Sequence, residues 1–134
     1  MFDIFNFALS FFHLGLILVI QVIHYPLFKY SSNNFKEFHK AHTKRISIIV
    51  IPSMLIEFIL TSYLMYLSFP DYLRITNFIV VVLIWLCTLL ISSPIHILLS
   101  KKYQENLINK LVLTNIPRVV LWTIKCIVSF LIIS

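Results

Sequence analysis

Glycine occurs once in this chain, at Gly15, and Asp and Glu together number five against eleven Lys and Arg. Only two cysteines are present, Cys87 and Cys126. Both lie inside apolar runs, where a thiol behaves as a small hydrophobe, and no disulfide framework or zinc-finger spacing exists. His-Glu-x-x-His and Glu-x-x-His motifs are also missing. What the chain has in excess is apolar surface. Its residues are 60% hydrophobic and its mean hydropathy is +0.95, more apolar surface than a water-soluble domain hides.

Four apolar runs can be marked out, at 4–28, 46–69, 75–99 and 111–133. Each exceeds the ~20 residues that a helix needs to cross a bilayer core. The expected fold is therefore all-α: one domain over residues 1–134, built as a bundle of four transmembrane helices. The first run opens with MFDIFNF, carries Asp3 instead of a basic segment and ends without a small-residue cleavage pattern, so it reads as a retained helix.

The formal charge of +6 does not point to nucleic acid, because the basic residues flank the apolar runs. Lys29, Lys36, Lys40, Lys44 and Arg45 separate the first two runs. Lys101, Lys102, Lys110 and Arg118 separate the last two or begin the fourth, and Arg74 alone serves the opposite side. The positive-inside rule then makes both connections cytoplasmic and puts both termini on the non-cytoplasmic side. The first run is closed by Pro26, and the polar stretch SSNNFKEFHKAHTKR follows. Within that stretch Phe35, Phe38, His39 and His42 recur at helical spacing, which predicts an interfacial half-helix with SSNN as possible N-caps.

Alternating helix direction brings polar residues to two depths. His24, His42, His96 and Arg118 fall near the cytoplasmic boundary. His13 is ~16 Å below His24 along its helix, and Glu57 ~22 Å beyond His42, so these two meet in a deeper layer with Lys125. The separation of His13 and His24 is close to three turns, which predicts a shared face. Asn115, Arg118, Trp122 and Cys126 form one stripe on the fourth helix. A charge at membrane depth costs ~2.5–3.5 kcal/mol on insertion scales, so Glu57 and Lys125 are expected to face the bundle and pair, or Glu57 to bond His13. The same pairs would serve equally as interhelix glue. His39, in the polar connection, reads as a solvated residue or a headgroup contact.

Imidazoles on different helices are a common way to build a metal or haem site in a bundle. His24, His42 and His96, with His39 adjacent or a carboxylate from Glu37, give a nitrogen-rich set suited to iron, copper or zinc. Haem b would need axial imidazole and a basic partner such as Arg45 or Arg118 for its propionates, and the single glycine leaves little room for a macrocycle. A third possibility needs no cofactor. His and Glu in a polar column can relay protons or bind a small anionic or quinone-like molecule anchored by Arg118, with Trp85 and Trp122 walling the pocket. A fourth is a structural or assembly subunit, and abundant outward Phe, Leu and Ile also permit a homo-oligomer.

The segments HYPLF, FHKAHTKRISIIVIPSMLIE, SSPIHILL and INKLVLTNIPRVVLW resemble an uncharacterised bacterial family of small four-helix integral membrane proteins. Its pattern selects His24, Pro26, His39, His42, Arg45, Pro52, Glu57, Pro94, His96, Thr114, Asn115, Arg118 and Trp122. The chain departs from it at Ser93, where glutamine is common, and at Ile116 with Pro117, where Trp-Ile is usual. In outline that family is similar to anthrone-oxygenase-like and protoporphyrinogen-oxidase-like membrane proteins, a likeness of fold that assigns no reaction. The resemblance implies a multi-pass protein of the bacterial inner membrane. The expectation drawn from residues and resemblance together is a metal or haem at His24, His42 and His96 supporting redox chemistry on a lipophilic substrate. Arg118 would anchor an anionic group, Asn115 would orient a ligand, and Glu57 with His13 would form a deeper proton-handling or structural layer.

Overall fold

The computed structural model describes residues 1–134, which form helices and turns with no strand. The elements are α1 (Phe2–Val19), α2 (Tyr25–Leu27), α3 (Phe35–Leu67), α4 (Tyr72–Cys87), α5 (Ser93–Lys101) and α6 (Glu105–Ile133). Wide π turns at Ile20–His24 and Thr88–Ser92 join α1 to α2 and α4 to α5, and a tight 3₁₀ turn, Phe28–Asn34, leads into α3.

Counted as unbroken helical tracts, three stretches rather than the expected four are long and apolar enough to cross a membrane: Phe2–Leu67, Tyr72–Lys101 and Glu105–Ile133. The difference has a local cause. Pro26 was expected to end the first helix, but it falls in the first turn of α2, just after a π turn. Proline is tolerated in a first turn, and the widened turn before it accommodates the missing N–H. Pro94 follows the second π turn in the same way. The chain bends instead at Ser31, where φ −107° and ψ 25° leave the helical region.

Beyond that bend the first tract folds back on itself. Asn6 meets Thr61, Ser10 meets Glu57 and His13 meets Ser53, a descending series that runs α1 antiparallel to α3. α6 packs on both α1 and α4, and α3 also packs on both, so four arms close a ring. Ile84, Leu99, Ile108 and Leu111 are fully buried along its axis, and Phe28 and Phe35 plug the end where the bend lies.

At the opposite end Asp71 caps α4, accepting from the backbone N–H groups of Leu73 and Arg74 at 2.9 and 3.2 Å. The Arg74 guanidinium in turn donates twice to Asp3, at 2.6 and 3.1 Å, tying α4 to the first turn of α1. At the near end Asn34 precedes α3 as expected of the SSNN segment, but its side chain donates to Glu37 and does not cap the backbone.

Candidate functional site

The deeper polar layer is a closed network. Glu57 is fully buried; its Oε1 accepts from Ser10 at 2.6 Å and lies 3.2 Å from Lys125 Nζ. Lys125, also fully buried, donates to Asn77 Oδ1 at 2.9 Å and to Thr61 at 3.3 Å. Ser129 reaches Asn77 and Ser10, and Thr61 donates to Asn6. His13 Nδ1 lies 2.6 Å from Glu57 Oε2, but its N–H points to the Leu9 carbonyl at 2.9 Å, so Oε2 lacks an aligned donor. The ring stacks on Trp122 with centroids 4.4 Å apart. Both partners expected for Glu57, the lysine and the histidine, are therefore in contact with it.

The upper layer is arranged differently. Its histidines form two pairs. His39 Nε2 and His96 Nδ1 are 3.0 Å apart, and His96 Nε2 is 3.2 Å from the Tyr25 hydroxyl. His24 and His42 lie with ring centroids 5.2 Å apart. With the Tyr25 hydroxyl donating to His96, the His96 Nδ1–H donates to His39, and the proton of His39 sits on Nδ1, which is buried without a partner. His24 Nδ1 is buried and unpartnered as well.

Four residues assigned to this layer differ from expectation. His39 is not solvated but 1% exposed, because the half-helix that opens α3 turns Phe35 and His39 inward, where they stack against Phe28 and His96. His24 does not continue the buried face of His13. The π turn resets the helical phase, so Tyr25 is buried at this level and His24 only half-buried. Trp122 and Trp85 do not wall the upper cavity; Trp122 lies a layer lower against His13.

That cavity measures about 340 Å³ and opens between α3 and the two π turns. Its polar lining includes Tyr25, His42, His96, Thr88, Ser92 and Arg118, and Ile20, Ile46, Val50, Ile51 and Ile97 form the apolar part. Arg118 is 6% exposed and donates to Ser92 at 3.2 Å and to Asn115 at 3.1 Å. Its Nε is buried without a partner, and no carboxylate pairs with it; the ion pairs of the molecule involve Asp3, Glu57 and Asp71 only. Asn115 is held from the other side, donating to Gln21 Oε1 at 2.8 Å, so it orients the arginine. Arg45 lies outside this cavity, in a shallower groove with His24, His42 and Phe38.

For a metal the donor set is incomplete. No group of three or more His, Cys, Asp or Glu side chains is arranged to hold an ion, and both nitrogens of His96 are engaged. The sequence reading missed Tyr25, Ser92 and Gln21 around the cavity and Ser10, Ser53, Thr61, Asn77 and Ser129 in the deep network. The available signal was a polar residue inside an apolar run. No family model matches this chain, and no curated protein or solved structure matches it either.

Proposed function

We propose that this chain is a multi-pass protein of the bacterial inner membrane that binds a small amphipathic molecule with an anionic head in the cavity at Arg118. The observation that carries the reading is a guanidinium 94% removed from solvent, at a cavity of about 340 Å³, with no carboxylate to neutralise it. A buried charge without a counter-charge is costly, and an anion supplied by a ligand offsets that cost. The volume lies within the ~300–1,000 Å³ common to small-molecule sites, which combine apolar walls with a few placed polar groups. Ser92 and Asn115 hold the guanidinium, and Tyr25, His42 and His96 offer further hydrogen bonds to the head. The isoleucines and Val50 take the apolar tail.

In this reading the four arms cross the bilayer, with the basic connections cytoplasmic and both termini outside. Outward Phe11, Val22, Ile48, Ile59, Leu90 and Ile127, each more than half exposed, then face lipid. Calorimetric titration with octanesulfonate in mild detergent tests the reading. One site per chain is expected in the wild type, with at least ~10-fold weaker binding in Arg118→Gln. Equal affinity in the two proteins overturns it.

A second reading keeps a redox metal or haem at this layer acting on a lipophilic substrate. It is favoured by one distance, the 3.0 Å between His39 Nε2 and His96 Nδ1. Two imidazoles on one zinc-like ion, with bonds of ~2.0–2.1 Å, stand at a comparable separation. Purified protein without absorbance in the visible and without stoichiometric iron, copper, zinc or manganese overturns this alternative.

A further inference from the structure

His13 lies below the cavity, and its two ring nitrogens differ in kind. Nδ1 faces only acceptors, the Leu9 carbonyl at 2.9 Å and Glu57 Oε2 at 2.6 Å, so this nitrogen carries a proton whenever Glu57 is ionised. Lys125 and Ser10 hold Glu57 in that form through its other oxygen. Nε2 faces Ser53 Oγ at 2.9 Å, and that hydroxyl has alternatives. It also reaches the Ile49 carbonyl at 2.7 Å and the Val50 carbonyl at 3.2 Å.

With Nε2 bare, Ser53 donates to the ring; with Nε2 protonated, the ring donates to Ser53 and the hydroxyl turns to Ile49. Both states keep Nε2 and the Ser53 hydroxyl hydrogen-bonded, so the ring gains or loses a proton without stranding either.

A small void adjoins this ring and shares lining residues with the cavity. About 10 Å³ in volume, it is lined by His13, Trp122, Ile20, Val50 and Arg118, and the last three also line the large cavity. One water needs ~10–15 Å³ and polar partners. The Nε of Arg118, buried and unpartnered, is the donor such a water would accept from.

We propose that His13 is the proton-binding partner of the cavity, so that an anion seated at Arg118 is bound together with one proton on His13 Nε2. The proposal rests on the anion-binding reading above. The proton comes from solvent through the cavity and the void and bonds to the Nε2 lone pair. The Ser53 O–H···Nε2 hydrogen bond is replaced by Ser53 O–H···O=C of Ile49, and nothing is oxidised or reduced. The anion cancels the Arg118 charge that otherwise opposes a second cation across the void, so seating it favours the proton on His13. The charged groups facing His13 are Glu57 from α3, with Arg118 across the void and Lys125 beyond Glu57 from α6. α4 lends this network only the uncharged Asn77.

Octanesulfonate, whose head group holds no proton near neutral pH, provides the test. In weakly buffered solution with a pH-indicator dye, binding to the wild type is expected to take up as much as one proton per anion. His13→Gln is expected to bind the anion with that uptake lost. A second measurement needs no change at His13. In Trp85→Phe the remaining Trp122 stacks on the ring, and protonation of the ring is expected to quench its emission when the anion is added at fixed pH. Anion binding with no proton uptake and unchanged Trp122 emission overturns the coupling and leaves the anion site standing. Uptake that persists in His13→Gln overturns the assignment to this ring. Absence of anion binding overturns both.

Discussion

The two polar layers of the bundle use the same side-chain chemistry and differ in what is left over. In the lower layer Lys125, Glu57, Asn77, Thr61 and Ser10 meet one another, and one oxygen alone lacks an aligned donor. In the upper layer His24 Nδ1, His39 Nδ1 and Arg118 Nε are all buried without partners, and Arg118 lines a cavity. A satisfied network holds helices together, whereas unsatisfied groups call for an explanation, and the proposed anion site supplies one at Arg118. The lesson is that buried charge by itself marks neither glue nor site; the presence or absence of the counter-charge separates them.

The largest expected effect breaks the lower layer. Lys125→Met strands the Glu57 carboxylate and is expected to cost about 3–5 kcal/mol in equilibrium unfolding from mild detergent. Arg118→Met removes a cation that has no carboxylate partner, so it is expected to change stability by only ~1 kcal/mol, from its lost hydrogen bonds. Equal losses in the two variants would erase the distinction between the layers.

The smallest effect lies at the far end. The Arg74–Asp3 bridge is partly exposed, so Asp3→Asn is expected to cost ~0.2–1 kcal/mol by thermal unfolding.

Much of this contrast was legible in the sequence. The all-helical class follows from four long apolar runs, and the cost of charge in lipid offers Lys125 or His13 as the partner of Glu57. The stripe of Asn115, Arg118, Trp122 and Cys126 is buried as its spacing required. The π turns were not legible. Each precedes a proline that the sequence presents as a helix end, and the wider winding at 20–24 exchanges the roles of His24 and Tyr25. His39 was misplaced for a related reason: composition marks 31–45 as a polar connection, but α3 begins at Phe35 and turns that face inward. Serines and asparagines in apolar runs carry little hydropathy signal, so most of the deep network emerged only from the packing.

The division of labour between the layers is tested most directly by octanesulfonate affinity in two variants, one from each. Arg118→Gln is expected to lose at least ~10-fold in affinity while remaining folded, because it removes the single cation that faces the cavity without a counter-charge. Asn77→Leu, which removes an acceptor from Lys125 and Ser129, is expected to unfold earlier and yet bind within ~2-fold of the wild type, a shift of under ~0.5 kcal/mol. Undiminished binding in Arg118→Gln, or a loss in Asn77→Leu as large as that in Arg118→Gln, would contradict the account.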